Sequence, residues 1–321
     1  MRILLIGSDN PWRMEAAVER ALRRAGHTTL LVDDRRTKRL IGRSMTQRLI
    51  KRQAKRFRPD FVFLSKCLAL DPETVDAVIA GKPNAMWYHD PQWHKDLERP
   101  DIGHIKRIGM LAQTFFVTGF EDEWRAHGLN ARFLPAAGDS GIVPVAHDDR
   151  FASDVAFIGT GYDSSRAELL MLLSEQFQLR VWGPGWEEWR ERLNWAGRSV
   201  EGADFAKVCS SSSITLGINP ARAAGGVAYT SDRTWMVMLA GGFYLAEHSD
   251  GLASMISEGE HCAFHSGGES CAQQCTRYLA SPDERARIRR AGEMFVRAHH
   301  TYDQRIENLL EDRAFVNPLA S

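Results

Sequence analysis

Residues 1–34, MRILLIGSDNPWRMEAAVERALRRAGHTTLLVDD, read as one strand–helix–strand unit. Arg2–Gly7 carries a short apolar run. Asn10-Pro11 follows, an N-cap residue with a proline at the first helical position. Met14, Ala17, Val18, Ala21 and Leu22 then recur at helical spacing, Gly26 ends the helix, and Thr28–Val32 is the next strand. The alternation continues. Phe61–Leu64, Ala85–Tyr88, Phe115–Thr118 and Arg132–Leu134 are strands separated by helical stretches, one opened by Asp71-Pro72. Such regular alternation predicts an α/β fold, with parallel sheets covered by helices on both faces.

The pattern lapses around Gly138–Ser153 and then restarts. Residues 1–146 and 147–321 are therefore expected to be two Rossmann-like domains. In the second half, Asp154–Gly159, Leu179–Gly183, Ile214–Ile218 and Phe243–Ala246 are strands. Asp163–Phe177, Asp204–Ser210, Asp232–Leu239, Pro282–Ala298 and Tyr302–Asp312 are helical. A chain of 321 residues suits two domains. Its 44% hydrophobic and 26% charged content excludes a disordered chain. Lys+Arg and Asp+Glu are equal at 41, so net charge alone points to no nucleic-acid or membrane partner. The start turns polar after six residues, against a secretory signal. Five scattered cysteines fit a reducing cytoplasm better than a disulfide framework.

In an open parallel sheet, ligands bind beyond the carboxyl ends of the strands. Five loops meet that condition. Gly7-Ser8-Asp9-Asn10 is a tight turn with a helix cap, or a shortened glycine-rich turn; Ser8, Asn10 and Trp12 are its acceptor-side candidates. Trp87-Tyr88-His89-Asp90-Pro91 puts two proton-transfer groups, His89 and Asp90, at a strand end; the alternative is that Asp90 merely caps a turn. Gly159-Thr160-Gly161 feeds a helix carrying Arg166 in its first turn, which suits a phosphate. Trp182-Gly183-Pro184-Gly185-Trp186 offers close backbone approach and an aromatic face for a base, or core aromatics beside a turn. Ser231-Asp232-Arg233 places an arginine at a helix start, where it opposes the helix dipole and is explained by an anion or by a surface ion pair. Gly241-Gly242 follows that helix.

Two further features stand apart. His261, Cys262, His265, Cys271 and Cys275 cluster, but their spacing fits no common zinc pattern and HCAF reads as a strand. No metal is expected. Arg35–Arg58 carries eleven Lys/Arg and no acidic residue. Met45, Leu49, Ile50, Ala54 and Phe57 give it one apolar helical face. It reads as a solvated face, or as a surface for an acidic acceptor or an anionic membrane.

FIGTGYDSSRAELL, VWGPGW, SSSITLGINP, SDRTWMVMLAGGFYLAE and the closing SPDERARIRRAGEMFVRAHHTYDQR occur in an order and spacing that resemble the spore-maturation (CgeB-type) glycosyltransferase-like family. In the first half the LLIG start, the LRRAGH helix and the WYHDP turn look alike. The resemblance implies a GT-B architecture, two Rossmann-like domains facing across a cleft, with the last helix (about 301–313) packing back on the first. It implies a nucleotide-diphosphate sugar as co-substrate, an acceptor on the first domain, and no cofactor or metal. Donor contacts would fall among Gly159, Thr160, Gly161, Arg166, Gly183, Trp186, Asn219, Asp232, Arg233, Gly241 and Glu247. Related enzymes commonly carry a ribose-binding Glu where this sequence has Met236. Asp232 or Glu247 takes over that role, or donor binding differs, or activity has decayed. The leading expectation is a glycosyltransferase with Asp90 as base and His89 behind it. The alternatives are a nucleotide-sugar epimerase or hydrolase of the same fold, and a non-catalytic sugar- or nucleotide-binding protein of an envelope or spore coat.

Overall fold

The computed structural model describes residues 1–90, 100–162, 164–219 and 230–320. Pro91, Asp163 and Pro220, which belong to three of the motifs above, lie outside the described residues. The chain forms two compact units. One comprises Met1–Asp139 with Tyr302–Val316, the other Ser140–Thr301 with Asn317–Ser321.

The first unit contains β1 (Arg2–Ile6), α1 (Met14–Arg24), β2 (Thr28–Val32), α2 (Asp34–Ile41), α3 (Arg43–Phe57), β3 (Phe61–Leu64), α4 (Pro72–Ile79), β4 (Asn84–Tyr88), α5 (Pro100–Gly109), β5 (Thr114–Val117), α6 (Glu121–Ala126) and β6 (Ala131–Phe133). The sheet order is β2-β1-β3-β4-β5-β6 and every pairing is parallel. β1, β3, β4 and β5 are almost wholly buried, as continuous apolar runs in a sheet covered on both faces must be. The five apolar positions of α1 are all buried against this sheet. The helix begins at Met14, however, three residues later than Asn10-Pro11 suggests. Asn10 instead accepts the Trp12 amide at 3.0 Å, closing a turn ahead of the helix.

The second unit contains β7 (Val155–Ile158), α7 (Ser164–Ser174), β8 (Leu179–Trp182), α8 (Gly202–Ser211), β9 (Ile214–Gly217), α9 (Asp232–Leu239), β10 (Tyr244–Glu247), α10 (Asp250–Met255), β11 (Ala263–His265), α11 (Gly268–Leu279) and α12 (Pro282–His299). Its sheet order is β11-β10-β9-β7-β8, again parallel throughout. The final helix, α13 (Tyr302–Glu311), belongs to the first unit: Tyr302, Ile306 and Leu309 join its core, and Arg24 Nε holds Asp303 at 2.7 Å.

The two sheets share one winding. In each, the first strand has the second on one side and the third on the other. The strand order therefore reverses between β1 and β3 in the first unit and between β7 and β9 in the second. That reversal opens a crevice at the carboxyl edge, where open sheets take their ligands.

Candidate active site

In the second unit the crevice between β7 and β9 is bridged by arginines. Arg233, in the first turn of α9, donates from Nη1 to the Ile158 carbonyl at 2.7 Å and from Nη2 to the Ile218 carbonyl at 3.1 Å. Arg166, in the first turn of α7, donates from Nη2 to the same Ile218 carbonyl at 3.1 Å and from Nη1 to Thr160 Oγ1 and the Thr160 carbonyl at 3.2 Å. Both guanidinium groups lie over the Phe157 ring, at 5.2 and 5.9 Å from its centroid. Two cations thus meet on one carbonyl oxygen at the start of two helices. Helix starts already carry partial positive charge, so the arrangement favours an anion.

The neighbouring glycines explain how the arginines fit. A Cβ on Gly159 would stand 2.5 Å from Arg233 Nη1. A Cβ on Gly183, at φ +131°, would overlap the Gly159 carbonyl oxygen. Gly183→Ala is expected to cost about 2–5 kcal/mol from backbone strain and steric overlap together, read as a lower unfolding midpoint. An unchanged midpoint would contradict that packing.

Several expected donor contacts move. The Gly159 and Gly161 amides are engaged by the Trp182 and Pro184 carbonyls, each at 2.9 Å, so they do not cradle a phosphate. Gly161 and Gly183 serve loop-to-loop packing instead. Trp186 is fully buried; its Nε1 donates to the Gly159 carbonyl at 2.9 Å and its ring packs on Phe157 and Trp189. Trp182 is buried between Phe151 and Arg180. Neither ring has a face for a base. Trp186→Leu is therefore expected to lower stability by about 2–4 kcal/mol and to leave any nucleotide-induced change in tryptophan emission intact; loss of that change would return Trp186 to the site. Gly241, at φ +72°, caps the far end of α9 next to Pro144, roughly 12 Å along the helix from Asp232 and on the opposite sheet edge.

Asn219 and Glu247 do lie at the carboxyl edge, where Glu247 Oε2 accepts the Asn219 amide at 2.7 Å. Asp232 Oδ1 accepts the Arg233 amide at 2.8 Å, which helps cap α9. His265, ending β11, bonds through Nε2 to the Gly217 carbonyl at 3.0 Å, and burial lowers its pKa. Cys271 and Cys275 are buried core residues of α11, and His261 stacks on Phe295 at 4.1 Å. Among the described residues, no three His, Cys, Asp or Glu side chains cluster so as to hold a metal ion.

In the first unit, His89 and Asp90 follow β4 at the carboxyl edge. Asp90 Oδ2 accepts from Lys66 Nζ at 2.5 Å, and its Oδ1 is 4.0 Å from His89 Nε2. His89 Nδ1 is buried with no hydrogen-bond partner among the described residues. Lys66 escaped sequence reasoning. It lies two residues past the end of β3, as Asp90 lies two past the end of the neighbouring β4, and comparing strand ends would have paired them. At the β1/β3 crevice, Gly7 is pressed against Glu15, with a Cβ position 2.6 Å from its Cγ. The buried Glu15 accepts from Ser65 Oγ at 2.6 Å. Ser8 Oγ accepts the Asn10 amide at 3.3 Å, and Trp12 is 49% exposed beside them.

Residues 166–311 match the glycosyl transferase-like family. That stretch contains Arg166, Arg233 and Glu247, and it ends within the last helix. The chain is similar over 98% of its length to all of the Anabaena HepE protein in complex with UDP-glucose, with 11% identity and a TM-score of 0.66. Sucrose-phosphate synthase from Thermosynechococcus elongatus shows 14% identity and a TM-score of 0.68, covering 97% of this chain and 98% of that one. A Listeria monocytogenes protein assigned as a UDP-N-acetylglucosamine 2-epimerase shows 11% identity and a TM-score of 0.58, covering 98% and 99%. These likenesses establish the GT-B fold. No curated protein matches the sequence.

Proposed function

We propose that the protein transfers a sugar from a nucleoside-diphosphate sugar to a hydroxyl acceptor. The observation that carries the proposal is the meeting of Arg166 and Arg233 on the Ile218 carbonyl at the strand-order reversal. The acceptor oxygen attacks the anomeric carbon, the bond from that carbon to the diphosphate breaks, and the acceptor proton passes to Asp90. Charge gathers on the departing diphosphate, where preorganised guanidinium groups stabilise it most. They do so as fixed cations, so the reaction as proposed needs no bound metal. Glu247 takes the ribose hydroxyls in place of Met236. One of its oxygens already holds the Asn219 amide, and the other has no hydrogen-bond partner among the described residues.

The family match and the UDP-glucose complex of the HepE protein support this reading. The motif order supports a likeness to the spore-maturation type. Five free, buried cysteines suit a reducing cytoplasm. Among the described residues, no helix is long and apolar enough to cross a membrane.

Met236 favours a second reading, a binding protein without turnover, because a thioether is too weak an acceptor to replace a ribose-binding carboxylate. The two separate in one assay: wild-type protein with a panel of nucleotide sugars, followed for nucleoside diphosphate release with and without candidate acceptors. Release that rises with an acceptor supports transfer, whereas equal release without one is hydrolysis. Tight binding without release across the panel supports the binding protein.

A further inference from the structure

The first unit carries a surface that the transfer reaction does not use. Arg35–Arg58 contains eleven Lys/Arg and no acid, and all eleven basic side chains are exposed. Among the described residues two of them pair with carboxylates, Arg36 with Asp9 at 2.8 Å and Arg43 with Asp71, which leaves nine of the eleven unpaired. Gly42, at φ +77°, breaks the segment into α2 and α3. The break changes the face expected from the sequence. Thr46, Gln47, Ile50 and Ala54 turn inward, while Met45 is 52% exposed. Leu40 at 75% and Ile41 at 42% exposure lie just before the Gly42 break, and Met45 just after it. Three bare aliphatic side chains therefore crown the α2–α3 junction. Helical spacing carries Met45 on through Arg48, Arg52, Lys55 and Arg56 along the outward face of α3. On its flank, Lys51, Lys55, Arg58 and Lys82 line a groove of about 440 Å³ between α3 and α4.

We propose that the α2–α3 pair docks the protein onto an anionic lipid bilayer. Leu40, Ile41 and Met45 enter the acyl boundary, and the cationic stripe lies among the phosphate head groups. The charge is complementary to such a surface, and an apolar tip bordered by long cationic side chains is how an amphipathic segment seats at an interface. A nucleic acid fits less well. A single strand calls for aromatic stacking partners, and neither a single strand nor a duplex backbone has a use for an aliphatic tip. The segment's one aromatic, Phe57, lies under the Arg2 guanidinium at 4.7 Å. The Arg43–Asp71 pair ties the tip to the loop between β3 and α4, on the same sheet edge as His89 and Asp90. Docking there brings that edge to the membrane. The inference does not depend on catalysis, so it and the transferase reading can fail separately.

The test is co-sedimentation of the full chain with vesicles of phosphatidylcholine alone and of phosphatidylcholine with about a third phosphatidylglycerol. Partition onto the anionic vesicles, weakening as salt rises, is expected, with little onto the neutral ones. Combined Arg48→Gln, Arg52→Gln and Arg56→Gln is expected to lower the partition on the order of 100-fold. Leu40→Ser with Met45→Ser is expected to lower it by roughly 10-fold or more. All five side chains are exposed, so both variants should melt with the wild type. Absence of partition onto anionic vesicles, or wild-type partition in either variant, overturns the proposal. Tighter binding to duplex DNA than to the vesicles, unaffected by the Leu40 and Met45 changes, assigns the face to nucleic acid and overturns it equally.

Discussion

Asp90→Asn is expected to lower turnover by about 10²–10⁴-fold, the usual contribution of a positioned proton acceptor. The substitution keeps the size of the side chain and an oxygen that can still accept from Lys66, which bonds Asp90 at 2.5 Å in the native protein. What it removes is basicity. Nucleotide affinity should stay near wild type, because the groups proposed to hold the donor belong to the second unit. The readout is transfer, or slow donor hydrolysis where no acceptor is known. Wild-type turnover in the Asn variant would exclude Asp90 and leave His89, whose Nε2 is 4.0 Å from the Asp90 carboxylate, as the base to test next.

Arg233→Gln is expected to weaken nucleoside diphosphate binding by about 10- to 150-fold, the equivalent of one charge-assisted hydrogen bond worth roughly 1.5–3 kcal/mol. The native guanidinium also joins the ends of β7 and β9 through the Ile158 and Ile218 carbonyls, so some loss of stability accompanies the change. Binding of the corresponding nucleoside separates the two effects. If Arg233 contacts the diphosphate, the nucleoside loses little while the diphosphate loses much. Equal losses for both would make Arg233 a structural tie and remove it from the site.

Much of the fold was legible because parallel strands buried on both faces leave continuous apolar runs. Thr28–Val32, Phe61–Leu64 and Asp232–Leu239 coincide with their observed elements, and the other strands differ by a residue or so at the ends. The N-terminus of α1 was misread. Asn10-Pro11 has the chemistry of a helix start, but it also suits a turn, and the turn won. Arg166 and Arg233 were legible as helix-start arginines whose local electrostatics is unfavourable. That both would reach the Ile218 carbonyl was not, since the meeting depends on the strand order β9-β7-β8. The two aromatics left open between a stacking face and the core share one ambiguity. Trp182 and Trp186 flank glycines at a strand end, which describes an exposed stacking platform and a core corner equally well. Here the bare glycines let the two loops close on each other and bury the rings. Gly241 failed for a simpler reason: a loop after a helix lies at the opposite sheet edge from a loop after a strand.

The central claim is that the β7/β9 crevice of the second unit holds the diphosphate of a nucleotide sugar. Calorimetric titration of the wild-type protein with uridine, adenosine, guanosine and cytidine diphosphates, each against its nucleoside, tests it most directly. At least one diphosphate is expected to bind more than about 10-fold tighter than its nucleoside, the least that one charge-assisted contact supplies. Binding of no diphosphate, or equal binding of diphosphate and nucleoside throughout, would contradict the assignment.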